Sequence, residues 1–256
     1  MYYYLINDIK KYQFNDINIL KNLKHKNSVT HIIIYNSNLT ELPNLTEFSN
    51  LDFLNCSNSL LTKLSKLPIN LNKLYCDNNK LTELPLLPDS LELLHCYDNQ
   101  LTQLPQLPPN LINLSCSYNK LTQLTQLPFN LKELYCYHNE LIQLPELPDN
   151  LKILDCSNNK LTQLPQLHVN LLYLDCYNNE LNQLPLLNYL KELDCSNNHL
   201  TELPQLPDSL NRLVCYNNQL TELPQLPFNL KVLHFHGNKL IQLPELPTNS
   251  KELYCS

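Results

Sequence analysis

A period of twenty residues runs through almost the whole chain and leaves few folds open to it. The segment Leu131-Lys132-Glu133-Leu134-Tyr135-Cys136-Tyr137-His138-Asn139-Glu140-Leu141 returns as Leu151-Lys152-Ile153-Leu154-Asp155-Cys156-Ser157-Asn158-Asn159-Lys160-Leu161. The shared pattern is LxxLxCxxNxL followed by TxLPxLPxN. Repeats begin at Val29, Leu51, Leu71, Leu91, Leu111, Leu131, Leu151, Leu171, Leu190, Leu210 and Leu230, with a truncated twelfth at Ser250. The spacing is 20 except for 22 in the first repeat and 19 in the one starting at Leu171, and both exceptions fall in the variable half. A fixed period of this length marks a solenoid, in which each coil hides its apolar side only by stacking on its neighbours.

Each position of the repeat has a physical reason. Around Leu74-Tyr75-Cys76 the alternation has period two, so Leu and Cys point inward and Tyr75 outward. Such short strands are expected to stack in parallel about 4.8 Å apart, giving eleven repeats a sheet roughly 50 Å long. The Asn column, Asn79, Asn99, Asn119, Asn139, Asn159, Asn179, Asn198, Asn218 and Asn238, follows the strand where the chain turns and leaves backbone groups inside. A buried Asn donates and accepts at once and can tie one coil to the next. Ser37 and Ser59 replace it in the first two repeats, where the ladder is expected to be weaker. The other half, such as Leu84-Pro85-Leu86-Leu87-Pro88, cannot be helical, because two prolines three apart remove donors and fix φ near the polyproline value. Seventeen of the 18 prolines fall in these two columns, which marks them as structural.

Composition narrows function. The chain has one Gly, no Ala and no Trp, so Gly-rich phosphate loops are excluded. A formal charge of -6 argues against a nucleic-acid partner, as does the mixed-sign column Lys80, Gln100, Lys120, Glu140, Lys160, Glu180, His199, Gln219 and Lys239. No export signal opens the chain, and no run approaches the ~18 apolar residues of a membrane span. No membrane association is expected, and the compartment expected is intracellular, the cytoplasm.

On these motifs residues 29–256 resemble the leucine-rich-repeat superfamily. The LPxLPxN half is similar to the short repeat class of secreted bacterial effectors, some of which carry a ubiquitin-ligase domain. Those effectors usually have a hydrophobe such as Val where this chain has Cys, and their catalytic Cys lies in a domain beyond the repeats. This sequence runs to Ser256 within a repeat, so no such domain is expected. The Cys-rich, Asn- and Leu-biased repeats also resemble predicted repeat proteins of giant DNA viruses. The fold implied is a repeat solenoid, a leucine-rich-repeat horseshoe with a parallel β-sheet on the concave face and extended, polyproline-like segments on the convex face.

Ten cysteines raise the question of disulfides or metal. All ten share one column: Cys56, Cys76, Cys96, Cys116, Cys136, Cys156, Cys176, Cys195, Cys215 and Cys255, with Ile34 and Phe235 filling the same place elsewhere. That interchange identifies a core position of limited size, which a reduced Cys fills well. No spacing fits a zinc site. His234 and His236 flank Phe235 on one strand, but the expected neighbours Val214, Tyr216, Tyr254 and Ser256 offer no good third ligand. No nucleophile, base and acid converge, so neither an enzyme nor a cofactor is expected.

Function is therefore expected on the outward strand residues, which line the inner curve of such solenoids. Tyr97, Tyr137, Tyr177 and Tyr216 recur at every second repeat, with Tyr75, His95, Tyr135 and Tyr173 nearby, and Asp155, Asp175 and Asp194 stack on three successive strands. Tyr suits interfaces because it joins an apolar body to a polar tip. Stacked carboxylates repel unless a cation or basic partner compensates. The reading is a non-catalytic protein-interaction scaffold binding a segment with Lys or Arg. The competing reading is that the Tyr/Ser alternation is a relic of duplicated repeat pairs and the Asp stack a solubility device.

The ends complete the organisation. Residues 1–28 are expected to cap the first repeat, with Ile6, Ile9, Phe14, Ile17, Ile19, Leu20 and Leu23 as apolar positions and a short helix from Asp16 to Lys24. The alternative is a docking motif such as a reduced F-box, which would make the chain a substrate-recognition adaptor of a ubiquitin-ligase complex. At the other end Leu253-Tyr254-Cys255 reads as a strand, flanked by Lys251 and Glu252, whose edge is expected to allow weak self-association.

Overall fold

A computed structural model describes residues 2–7, 10–242, 245–246 and 252–254. Ile9, Ser250, Lys251, Cys255 and Ser256, singled out above, lie outside the described residues. The chain divides into two compact units, residues 1–121 and 122–256.

The first unit contains β1 (Tyr2–Ile6), β2 (Lys10–Phe14), α1 (Ile19–Asn22), β3 (Val29–Ile33), β4 (Phe53–Asn55), β5 (Lys73–Tyr75), β6 (Leu93–His95) and β7 (Asn113–Ser115). From β3 onward the strands pair in parallel, one per repeat, with Ile32 opposite Leu54, Leu54 opposite Leu74, Leu74 opposite Leu94 and Leu94 opposite Leu114. The second unit continues the pattern with β8 (Glu133–Tyr135), β9 (Ile153–Asp155), β10 (Tyr173–Asp175), β11 (Glu192–Asp194), β12 (Arg212–Val214), β13 (Val232–His234) and β14 (Glu252–Tyr254), again all parallel. The 19-residue repeat keeps its register, since Leu174 still faces Leu193.

The N-terminal segment holds less helix than expected there. Only one turn, α1, forms within 16–24, and of its residues Leu20 alone is buried. Asp16 accepts the backbone N–H of Asn18 at 2.9 Å, and Asn18 makes no side-chain cap to the turn. Most of the cap is instead a hairpin, with β1 antiparallel to both β2 and β3. The physical reason is the edge of β3. Its backbone groups need partners that a strand supplies and a helix lacks, and Tyr2-Tyr3-Tyr4-Leu5-Ile6 has high strand propensity. Tyr4 and Phe14 are buried beneath the hairpin, while Lys10, Lys11, Tyr12 and Gln13 leave the outer strand exposed and charged.

Inside the coils between Leu51 and Leu220 the strand Leu, the Cys and the next Leu are sealed. Leu74, Cys76 and Leu81 are 0 % exposed, and the same holds for Leu193, Cys195 and Leu200. The return segments run extended, with Leu104 and Leu107 or Leu203 and Leu206 turned inward. Burying each such Leu contributes about 1.5–3 kcal/mol, which a coil gains only against its neighbours.

The Asn ladder is built from the carbonyls of the cysteines. Asn79 Nδ2 donates to the carbonyls of Cys56 and Cys76 at 3.1 Å each and of Asp77 at 3.0 Å, while its Oδ1 accepts the Leu61 N–H at 3.0 Å. Asn179 and Asn218 repeat the arrangement in the second unit, their Oδ1 atoms accepting the N–H of Leu161 and of Leu200. Where Ser59 stands in for Asn, its Oγ reaches Ile34 and Ser57 carbonyls only at 3.5 and 3.4 Å and pairs with Ser37 Oγ at 2.7 Å. The shorter side chain makes fewer and longer bonds, as expected for those two repeats.

One column escaped the sequence reading. The residue before each ladder position has positive φ: Asn36, Asn58, Asn78, Asp98, Tyr118, His138, Asn158, Asn178, Asn197, Asn217 and Gly237. The bias to Asn and Asp, with the single Gly of the chain in the same place, was the available signal, because these types tolerate the left-handed region. His138 holds it at φ 51°, and Tyr118 at φ 50° without that tolerance.

All nine described cysteines are reduced and fully buried. The Cys56 and Cys76 thiols each donate to the carbonyl of the following strand at 3.4 Å. Burial pushes the Cys116 and Cys215 thiols up to about 12. Thiolate is the reactive form, so these groups are doubly protected. Alkylation by iodoacetamide at pH 8 should run at least about a thousandfold slower in the native chain than in guanidinium, because exposure needs an opening of ~4 kcal/mol or more. Mass spectrometry of peptides covering Cys56 to Cys215 reads this directly, and fast native labelling would contradict the sealed column.

Candidate functional site

The residues singled out as a binding strip all lie on the open face of the sheets, opposite the Leu and Cys core. In the first unit Tyr75 ends β5 and His95 ends β6, directly opposite each other in the register. Their rings meet edge to face at 4.8 Å. Phe53 lies 5.4 Å from Tyr75 and stacks on His31 at 5.1 Å, so four rings from successive strands form one aromatic row. His31 and Phe53 were not among the expected site residues, although Phe53 stands in an outward strand column. The row also fixes its last member, since His95 Nε2 lies 3.2 Å from Asn113 Oδ1.

Beside this row sits a carboxylate the sequence did not distinguish. Asp77 follows Cys76 in a column otherwise filled by Ser, Tyr and His, and it is only 5 % exposed. It accepts the backbone N–H of Tyr97 at 3.1 Å and the Ser57 hydroxyl at 3.3 Å, joining three repeats. Burial raises its pKa to about 6, against the lowering effect of those hydrogen bonds. Tyr97 in turn accepts Asn78 Nδ2 on its hydroxyl at 3.2 Å.

The second unit carries the acidic stack. Asp175 faces Asp155 on one side and Asp194 on the other in strict register. Asp155 Oδ1 accepts both the N–H and the hydroxyl of Ser157, at 3.1 and 2.6 Å, and Asp194 does the same with Ser196. Tyr177 stands where Asp175 would need that serine, so the central carboxylate lacks this support. Although its edge reaches solvent, Asp175 is raised to about 6, first by desolvation and then by Asp155 and Asp194. Desolvation raises Asp155 as well. Arg212 Nη1 stands 4.0 Å from Asp194 and partly offsets the charge.

The remaining tyrosines surround this stack in different ways. Tyr135 is opposite Asp155 and its hydroxyl donates to Glu133 at 3.4 Å. Tyr173 lies between Ile153 and Glu192 and is 37 % exposed. Tyr137, Tyr177 and Tyr216 are half-buried, and Ser157 and Ser196 between them are 0 % exposed. The face is therefore ribbed, half-buried tyrosines alternating with serines that solvent does not reach. Tyr216 stacks on His236 at 4.6 Å, and His234 meets Glu252 and Tyr254, so these imidazoles are held by rings and a carboxylate. Among the described residues no group of three or more His, Cys, Asp or Glu side chains is placed to hold a metal ion. Among them too, no helix is long and apolar enough to cross a membrane.

The family model for the Leucine Rich Repeat matches residues 150–168 and 189–213. Among solved structures, YopM from Yersinia enterocolitica is 41 % identical with a TM-score of 0.87, covering 90 % of this chain and 51 % of its own. The chain is a leucine-rich-repeat protein of the short, bacterial-effector-like class. YopM of Yersinia pestis, a leucine-rich effector protein, is 29 % identical over 93 % of this leucine-rich-repeat chain and 90 % of its own, with a TM-score of 0.56. The functional domain of InlJ from Listeria monocytogenes, which includes a cysteine ladder, is 26 % identical over 85 % and 56 %, with a TM-score of 0.66. The present leucine-rich repeats span about half the length of the first YopM chain. No curated protein matches them by sequence.

Proposed function

We propose that the chain is a non-catalytic protein-interaction scaffold whose open face in the second unit binds a protein segment bearing Lys or Arg. The observation that carries this reading is the register of Asp155, Asp175 and Asp194 on adjacent strands. Three carboxylates in line raise one another's energy, and Glu192 adds to the same field while Arg212 offsets it from one end. A basic segment would relieve that repulsion, so the charge pattern favours the partner over the free face. Leucine-rich-repeat neighbours such as YopM support a scaffold role, and the reduced thiols support a reducing intracellular compartment. Pairing of β1 with β3 supports a capping role for the N-terminal segment over recruitment of ligase components.

The test is the triple substitution Asp155→Asn, Asp175→Asn and Asp194→Asn. Each exposed or half-buried ion pair contributes up to about 1 kcal/mol, so the three together should weaken capture of partners roughly 10- to 100-fold. Quantitative recovery on immobilised wild-type and triple-variant chains reads the difference. Undiminished recovery on the variant would remove the basic-segment reading.

A further inference from the structure

The acidic stack does not stand alone, and what lies beside it restricts the shape of a partner. Along the column after the cysteines, Tyr137, Ser157, Tyr177, Ser196 and Tyr216 alternate large and small on five successive repeats of the second unit. The serines are sealed at 0 % exposure while the tyrosines reach solvent. Successive tyrosine rings are thus separated by two shallow furrows, each lying over a serine that is itself covered and whose hydroxyl is committed to Asp155 or Asp194 at 2.6 Å. The floors therefore offer no free hydroxyl proton, and recognition falls to the rings and the adjacent carboxylates.

The furrows have a period. Adjacent parallel strands lie about 4.8 Å apart, so tyrosines on every second strand repeat at roughly 9.6 Å. A chain lying across the strands must present matching groups at that spacing. A polyproline II segment advances about 3.1 Å per residue and repeats every three residues, or roughly 9.3 Å. An extended strand repeats its side chains at about 6.8 Å, and two turns of α-helix span about 10.5–10.8 Å. Over two furrows the polyproline form drifts by about 0.6 Å and the helix by roughly 2 Å. The strand does not match at all.

We propose that this ribbed face binds a basic, proline-rich segment in the polyproline II conformation, laid across the strands with an apolar residue of each turn between Tyr137, Tyr177 and Tyr216. This rests on the reading of the same face as a docking surface for a basic protein segment, and it names the conformation that segment takes. The charge is complementary. On each strand the aspartate lies two residues before the tyrosine or serine column, so the row Asp155, Asp175 and Asp194 flanks the furrows on one side. Lys or Arg projecting sideways from the segment meets that row. A polyproline segment has no internal hydrogen bonds to lose when it seats. The segment is also extended before binding, so little order is lost when it seats.

The test uses fluorescence anisotropy of the full chain with two labelled peptide libraries. One has PxxP with Lys or Arg at varied spacing, and the other is identical in charge with every proline replaced by glycine. The expected result is at least tenfold tighter binding of the proline library, a loss of at least tenfold in Tyr177→Ala and Tyr216→Ala, and less than threefold in Tyr177→Phe. Tyr189→Ala, at an exposed position between β10 and β11 and away from the strand face, serves as a control with unchanged affinity. Native-like protection of the cysteines from iodoacetamide shows that each variant is folded. Equal binding of the two libraries overturns the polyproline proposal while leaving the basic-segment reading intact. Absence of binding by either library overturns both, and equal binding of an uncharged proline library overturns the basic requirement on which the proposal stands.

Discussion

Replacing Asn179 by alanine should destabilise the second unit by about 4 kcal/mol. The side chain donates to the carbonyls of Cys156, Cys176 and Tyr177 and accepts the Leu161 N–H, and it is only 7 % exposed. Alanine leaves those backbone groups buried without their partner, at about 1–3 kcal/mol for each group stranded. The neighbours cannot relax to compensate, because each coil is clamped between two others of the same shape. Asn170 offers the control. Its Nδ2 also donates to a carbonyl, that of Asp149 at 2.9 Å, but at an exposed site where water replaces it. Asn170→Ala should therefore cost less than about 1 kcal/mol. Urea unfolding of both variants reads the contrast, and similar losses at the two positions would show that the ladder does not bind the coils together.

Asp77→Asn should stabilise the first unit by about 3 kcal/mol at pH 7 and scarcely at all at pH 4. The folded carboxyl holds its proton more tightly than the unfolded one, with a pKa of about 6 against 3.8. A raised folded pKa means that stability is greatest when the group is protonated, falls as pH rises from about 4 to 6, and is level above that. Two pKa units correspond to about 3 kcal/mol. Asparagine removes the buried charge and keeps the geometry, since its Oδ1 can accept the Tyr97 N–H and its Nδ2 can donate to Ser57 Oγ. Asp175 titrates in the same direction, but its exposure to solvent and salt makes its contribution smaller. Thermal unfolding of wild type and variant at both pH values gives the difference, and a gap independent of pH would refute the buried-charge account.

The two experiments probe positions of opposite legibility. Asn179 was readable because its type recurs at a fixed place in every coil from Asn79 onward, and a turn leaving a strand always strands backbone groups. Asp77 was visible as a letter in an outward column but not as a buried charge. Its burial depends on Ser57 and Tyr97 in the coils on either side. The same holds for Ser157 and Ser196, read as the small half of an alternation and found to be the sealed floors between tyrosines. His31 and Phe53 joined Tyr75 and His95 only when the register placed their rings within stacking distance. The hairpin of β1 and β2 is not legible in the N-terminal segment, because it is the open edge of β3 that selects a strand there.

From the sequence alone came the period, the parallel strands, the thiol column, the asparagine ladder and the extended proline segments. Each recurs in nearly all coils, so most coils meet the same surroundings and their own residues suffice to specify them. Only the tertiary structure decided what differs from coil to coil: the hairpin on β3, the buried Asp77, the ring row in the first unit and the furrows beside the acidic stack in the second. Those features arise between side chains about twenty residues apart in the chain but one strand spacing away, roughly 4.8 Å, where packing and charge act. A linear pattern fixes which residue faces outward, and the neighbouring coil fixes what that residue can do.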